Sequence, residues 1–161
     1  MGSELSPGDN APDFSLPDQN GTNRFLAEFR GSHLILYFYP RDNTAGCTAE
    51  ALAFTEVYEE MNEMGVPVIG ISPDSPETHH RFIEKHDLKL LLLSDPDHHT
   101  IDAYGAWTLK KMYGKEYYGV NRSTFLINGN GKIIAIWRSV KVKGHVEEVT
   151  SRLREIAHKE P

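Results

Sequence analysis

Short unbroken runs of apolar residues alternate along this chain with stretches whose apolar positions recur at helical period. The run His33-Leu34-Ile35-Leu36-Tyr37-Phe38-Tyr39 reads as a fully buried strand. Pro40 stops it, because proline lacks a ladder N–H and fixes its own φ. Asp42, Asn43 and Thr44 are turn and N-cap formers. From about Ala45 the pattern is helical, with Phe54, Val57, Tyr58 and Met61 on one stripe and Met64-Gly65 at the end. Residues 66–72 form a second apolar run, and Asp74-Ser75-Pro76-Glu77 starts a helix predicted to reach about Asp87. A third strand is predicted over 90–93, followed by a short helix opened by Asp95-Pro96-Asp97 and reaching about Tyr104.

Residues 107–118 are mixed, with Gly114 in their middle, and are predicted to loop over the surface. Residues 120–127 and 132–137 read as two strands joined by Asn128-Gly129-Asn130-Gly131, a hairpin signal. Residues 144–158 form an amphipathic helix with Val146, Val149, Leu153 and Ile156 on one face. Ahead of the first long strand lie an extended segment around Phe14-Ser15-Leu16, ended by Pro17, and a turn at Asp18-Gln19-Asn20-Gly21. The order is a βαβ unit, a further αβ unit, a hairpin and a terminal helix, so the expected class is α/β. No linker composition or internal repeat interrupts it, and residues 1–161 are read as one domain.

With 161 residues there is room for a real core, and 39% hydrophobic and 25% charged residues are ordinary for a globular protein. A net charge of −6 argues against nucleic acid or an anionic membrane as the main partner. No apolar run approaches the ~20 residues of a membrane span, and no signal-peptide core opens the chain, where Met1-Gly2-Ser3 carries no weight. A single cysteine cannot form an internal disulfide, so the cytoplasm is the expected location.

That cysteine, Cys47, falls in the first turn of the helix after the central strand, where open α/β sheets place their chemistry. Free N–H groups and the helix dipole favour a thiolate there. The dipole supplies roughly 0.3–1 kcal/mol, ~2 when partly buried. Bringing a thiol from about 8.5 to about 6 takes ~3.4 kcal/mol, so a reactive thiol needs a cation from elsewhere in the fold. The competing reading is an inert, buried core cysteine. Polar neighbours on both sides argue for an accessible thiol instead.

Pro40-x-x-x-Thr44-x-x-Cys47 resembles the peroxidatic site of the peroxiredoxins. The fuller string Tyr37-Phe38-Tyr39-Pro40-Arg41-Asp42-Asn43-Thr44-Ala45-Gly46-Cys47-Thr48-Ala49-Glu50 is similar to the bacterioferritin-comigratory (PrxQ) branch. Gly8-Asp9-x-Ala11-Pro12-Asp13-Phe14-x-Leu16-Pro17-Asp18 is similar to that branch's opening. Tyr104-Gly105-Ala106-Trp107 and Tyr118-Gly119-Val120-x-Arg122-Ser123-Thr124-Phe125-Leu126-Ile127 are similar to its second half. The resemblance covers nearly the whole chain. It implies a thioredoxin-like fold, a central mixed β-sheet flanked by helices, with a peroxiredoxin-type N-terminal extension.

It also implies a thiol peroxidase acting on hydrogen peroxide and small organic hydroperoxides, with Cys47 oxidised to a sulfenic acid. Arg122, at the arginine position of the second motif, is the implied cation; a strand-end salt bridge is its plainer reading. Thr44 is implied to hydrogen-bond the peroxide while also being an N-cap. Pro40 would cover the thiolate, though it also simply ends a strand. Glu50 shares a helix face with Cys47 and would either pair with Arg122 or serve the dipole as a first-turn acid. Arg41 is read as facing solvent.

Many members of the branch carry a resolving cysteine five residues on, where this chain has Leu52. The sulfenic acid would then be reduced by an outside thiol or by Cys47 of a second subunit, a one-cysteine cycle with glutathione, glutaredoxin, thioredoxin or a related dithiol as candidate reductant, and with the protein a monomer or weak dimer. No cofactor is implied. The pairs His79-His80 and His98-His99 lack the i, i+4 spacing of a helical metal site, and His86, His145 and His158 fall in polar or helix-terminal settings. A redox sensor or adaptor would use the same Cys47 with slow turnover. A Cys/His hydrolase lacks a histidine in the motifs, and Thr44-Ala45-Gly46-Cys47 lacks the first cysteine of C-x-x-C.

Overall fold

In the computed structural model, which describes residues 4–159, the chain runs β1 (Ser15–Pro17), β2 (Asn23–Phe25), a 3-10 turn (Leu26–Phe29), β3 (Leu34–Phe38), α1 (Ala45–Glu56), α2 (Tyr58–Glu63), β4 (Val68–Ser72), α3 (Pro76–His86), β5 (Leu91–Ser94), α4 (His99–Ala103), β6 (Trp107–Met112), β7 (Lys115–Val120), β8 (Ser123–Ile127), β9 (Ile133–Trp137) and α5 (His145–Lys159). Met1-Gly2-Ser3 lies outside the described residues. The central sheet has the order β5-β4-β3-β8-β9. β3, β4 and β5 are parallel, while β8 runs antiparallel to β3 and to β9, so the sheet is mixed as expected.

All five residues of β3 are buried, which is why its sequence is continuously apolar rather than alternating. Its two faces still differ. Leu34, Leu36 and Phe38 join a core with the N-terminal segment and with Ile101 and Tyr104 around α4. Ile35, Tyr37 and Tyr39 join the opposite core, which holds Cys47, Ala51 and Phe54 of α1, Met61 of α2, Phe82 of α3 and Val146, Val149 and Leu153 of α5. The Tyr37 ring lies across β4 at Gly70, its register partner, where an added Cβ would sit 2.8 Å from the ring. Glycine is therefore required at that position by close approach.

α3 starts as its sequence signals, with Ser75 Oγ accepting from Thr78 N–H, proline in the first turn and Asp87 ending the helix in the left-handed region at φ 50°. Asp95 works differently from a plain cap: its carboxylate accepts from Ile101 N–H across a left-handed His98.

Three expectations need correction. Residues 107–118 are not a surface loop: β6 and β7 pair antiparallel, joined by Tyr113-Gly114 with φ of 53° and 78°. Two consecutive positive φ values make the tight turn that matches strand twist, but Tyr113 is an unusual residue for it and hid the signal. Val120 accordingly ends β7, and β8 begins only at Ser123. The helix carrying Cys47 breaks at Val57 (φ −98°, ψ 9°), so Tyr58 leaves the buried stripe and is exposed while Phe54 and Met61 stay buried.

Candidate active site

β3 delivers the chain to the middle of the sheet, and Pro40 bends it away, half-buried, into the loop that precedes α1. Thr44 is the N-cap by backbone, its carbonyl accepting from Thr48 N–H at 2.9 Å. Its hydroxyl caps nothing and instead donates to the carbonyl of Arg41 at 2.9 Å. That spends the hydroxyl's one hydrogen and leaves its oxygen, on an exposed residue, as an acceptor. Arg41 is exposed, as read from sequence.

Cys47 is the third residue of α1 and is only 1% exposed, which overturns the expectation of an accessible thiol. Its polar sequence neighbours sit on the outer side of the helix turn, while Cys47 packs with Tyr37 and Tyr39. Burial does not make it an inert core residue, because Arg122 reaches it. Arg122 lies in the link between β7 and β8; its Nη2 donates to Cys47 Sγ at 3.3 Å and its Nη1 to Glu50 Oε1 at 2.5 Å. Gly46 permits the approach, since a Cβ there would meet Arg122 Nη2 at 3.3 Å.

Glu50 lies beyond the first helical turn and its side chain is fully buried, so the dipole-serving reading fails and the pairing reading holds. Burial raises its carboxyl to about 7, against the pull of Arg122. Its Oε2 has no hydrogen-bond partner among the described residues. Burial alone would lower the Arg122 pKa, but Glu50 and Cys47 outweigh it and the guanidinium stays firmly charged. The cluster is thus sulfur, guanidinium and carboxylate in a row, at the end of the central strand.

Neighbours of this cluster escaped the sequence reading. The Tyr37 hydroxyl is buried without a hydrogen-bond partner among the described residues, and burial followed by the nearby Glu50 and Cys47 charges drive its pKa well above 10.0. A tyrosine placed two residues before another in a wholly buried strand was the available signal. Lys110 of β6 feels the charges of the site: burial and then the Arg122 charge lower its pKa, while Cys47 opposes them. His145 is buried rather than merely helix-terminal, with Nε2 beside Thr124 Oγ1 at 2.8 Å. Burial lowers its pKa, with Arg122 adding to the effect and Glu148 opposing it.

A further buried network holds the loop itself. Tyr39 Oη donates to Asp42 Oδ1 at 2.5 Å, and Asp42 Oδ2 faces His79 Nδ1 of α3 at 2.5 Å. His79 Nε2 lies 3.0 Å from the carbonyl of Leu93, which can only accept, so that nitrogen carries hydrogen. One further proton must then lie between Nδ1 and Oδ2. Asp42 N–H donates to Asp74 Oδ2, which also accepts from Ser72 Oγ. Asp42, Asp74 and His79 have ligand atoms within 4.8 Å of one another, but each is engaged in these internal bonds, and the group reads as a tether from loop to α3. Neither histidine pair revealed it, because the partner lies 37 residues away in sequence.

Comparisons with known proteins bear on the chain as a whole. Residues 7–136 match the model of the AhpC/TSA family. The chain is 46% identical over 152 residues to peroxiredoxin Bcp of Bacillus subtilis (strain 168), covering 94% of this chain and 97% of that one. It is 42% identical over 153 residues to peroxiredoxin Bcp of Escherichia coli (strain K12), covering 95% and 98%. Among solved structures, a cysteine-to-serine mutant of Xylella fastidiosa PrxQ superposes with a TM-score of 0.90 at 36% identity, over 99% of this chain and 100% of that one. The Xanthomonas campestris bacterioferritin comigratory protein, described for its alkyl peroxide reduction, gives 0.86 at 37% identity over 89% and 92%.

Proposed function

The chain belongs to the AhpC/TSA family, in its Bcp/PrxQ peroxiredoxin branch, and from that premise we propose how its one domain reduces peroxides. The single observation that carries the reading is Arg122 donating to Cys47 Sγ at 3.3 Å while held by Glu50. A guanidinium there stabilises the thiolate and offers a donor to an incoming peroxide oxygen. The Thr44 oxygen, left as an acceptor, takes the peroxide's own O–H, so the two groups orient the O–O bond along the line of attack. Pro40 and the aromatic rings around the thiol keep water away.

Sulfur attacks one peroxide oxygen, the O–O bond breaks, and the other oxygen leaves as hydroxide or alkoxide and takes a proton from solvent. Cysteine is oxidised by two electrons to sulfenic acid, and the peroxide is reduced to water or alcohol. No second cysteine exists in the chain, so an external thiol condenses with the sulfenic acid, releasing water, and a second thiol frees Cys47 as its own disulfide forms. Thioredoxin, glutaredoxin and glutathione fit that role chemically. Among the described residues no helix is long and apolar enough to cross a membrane. We read the protein as cytoplasmic, a monomer or weak dimer, with small hydroperoxides as substrates.

The test is stopped-flow oxidation of the reduced protein by hydrogen peroxide, with mass spectrometry of Cys47. Stoichiometric peroxide loss far faster than with a free thiol, leaving one added oxygen on Cys47, is the expected result. A rate no better than a free thiol's overturns the reading.

A further inference from the structure

The hairpin of β6 and β7 is not absorbed by the chemistry above, although its C-terminal strand ends two residues before Arg122. Of the eight large hydrophobic side chains exposed among the described residues, five lie in it: Leu109, Met112, Tyr113, Tyr117 and Tyr118. The register divides it into two faces. Trp107, Leu109 and Lys111 share one face with Val120, Tyr118 and Glu116, and Thr108, Lys110 and Met112 share the other with Gly119, Tyr117 and Lys115.

The Trp107 face is rooted in the core through Val120 and Trp107, on the side of the sheet away from Cys47. The Lys110 face is the opposite face of the hairpin, turned away from that core. The Lys110 stem and the Tyr117 ring lie over Gly119, with an added Cβ there 3.5 Å from the lysine Cδ and 3.4 Å from the tyrosine ring. Lys110, whose pKa burial lowers, also feels the charges of Arg122 and Cys47. Beyond it, Tyr117 is 42% and Met112 54% exposed. Lys111 is paired with Glu116 on the core-rooted face, whereas among the described residues no carboxylate pairs with Lys110 or Lys115. A chain with net charge −6 thus presents a positive, apolar strip on the hairpin that leads into Arg122.

We propose that the face formed by Lys110, Met112, Lys115 and Tyr117 docks the protein thiol reductant that regenerates Cys47, a partner whose cysteine is set in an apolar surface rimmed by carboxylates. The inference rests on the peroxidase reading, since a one-cysteine cycle obliges an outside sulfur to arrive at this spot in every turnover. Length selects a protein over a small thiol. From Thr108 to Met112 the face extends about 13 Å at ~3.3 Å per residue, beyond the roughly 10 Å reach of a tripeptide. Methionine and tyrosine adapt to a partner and give it contact area, while the lysines steer an acidic rim, as suits a transient complex.

The experiment separates the two half-reactions. Reduced protein is oxidised with one equivalent of hydrogen peroxide, and sulfenic acid loss is then timed by quenching and mass spectrometry with reduced thioredoxin, glutaredoxin, glutathione or dithiothreitol. Met112→Ser, Tyr117→Ser and Lys115→Glu should each slow reduction by the more effective protein about tenfold, and added salt should slow it further in wild type. Oxidation by peroxide and reduction by dithiothreitol should be unchanged. Leu109→Ser and Tyr118→Ser, on the core-rooted face, should leave every rate unchanged. Equal losses on both faces, no loss on the Lys110 face, reduction by glutathione but by neither protein, or no reduction by any of these thiols but dithiothreitol overturns the proposal. So does a dimer in sedimentation that the Met112 and Tyr117 variants dissociate, since a second copy would then occupy the face. Failure of wild type to form sulfenic acid is a separate result that removes the peroxidase reading, and the docking surface with it.

Discussion

Replacing Asp42 by alanine removes the carboxylate that accepts from Tyr39 Oη and faces His79 Nδ1, both at 2.5 Å and all inaccessible to solvent. Water cannot replace those bonds without opening the loop. Truncating one member of a buried, hydrogen-bonded pair costs about 3–5 kcal/mol, because the other member is left without a partner. For a chain of this length each kcal/mol lowers Tm by roughly 2–4 °C, so Asp42→Ala should lose about 6–20 °C. Asp42→Asn is the informative companion. With His79 neutral and hydrogen on Nε2 for the Leu93 carbonyl, the amide can donate to Nδ1 and still accept from Tyr39. Every bond has a neutral counterpart, and the loss should stay below about 1 kcal/mol. Urea unfolding followed by circular dichroism, with the m-value checked for constancy, measures both. If Asp42→Ala costs less than about 1 kcal/mol, or Asp42→Asn costs as much as alanine, the network does not tether the loop to α3.

The remaining expectations concern the thiol cluster. Cys47→Ser should abolish peroxide consumption while leaving the unfolding curve near wild type; residual activity would mean a second nucleophile. Arg122→Lys keeps the charge but loses the fork that spans Cys47 and Glu50, so peroxide oxidation of Cys47 should slow by about 100-fold or more, equivalent to ~2.7 kcal/mol; wild-type rates would show that charge alone suffices. Burial raises the Glu50 carboxyl to about 7, above the ~4.3 of an unfolded chain. The folded state then holds the proton more tightly, so this contribution is complete below pH ~4.3 and is lost as pH rises through about 7. Relative to Glu50→Gln, wild type should lose on the order of 3 kcal/mol between those limits. A difference constant from pH 5 to 8 in denaturant titrations would show that Glu50 is ionised throughout.

The strands and helices that bury a face were legible from the chain, because burial imposes a period: β3, β4, α3, β9 and α5 fall where the apolar pattern put them. The β6–β7 hairpin was not, since it buries only its root and carries exposed tyrosines and lysines in place of alternation. The side chains that meet at the thiol, Cys47 and Glu50 of α1 and Arg122 across from them, were legible through a motif. Their depth was not. Polar neighbours describe the outer surface of a helical turn and say nothing of a side chain directed inward, which is how Cys47 came to be 1% exposed. The Asp42–His79 bond was invisible for a related reason: no local spacing marks two polar residues that compensate each other across 37 positions.

That depth sets the two half-reactions against each other. A peroxide is small and needs little room to reach the sulfur that Arg122 touches. A reductant must bring a sulfur into line with a buried one, and a protein cannot enter a site whose thiol is 1% exposed. The first turn of α1 must therefore move in each cycle, and its construction favours that. Thr44 provides no side-chain cap, so the usual ~1 kcal/mol that holds a helix start is missing. The loop is fixed on either side instead, by Asp42 to His79 before the turn and by Glu50 to Arg122 after it. Between these two buried anchors lie Asn43, already in the left-handed region at φ 63°, and Gly46. Opening confined to residues 43–49 breaks the 3.3 Å contact of Arg122 with sulfur while sparing both anchors. An oxidised Cys47 has also lost the thiolate charge that Arg122 held, so the sulfenic acid releases the turn more readily than the reduced thiolate does.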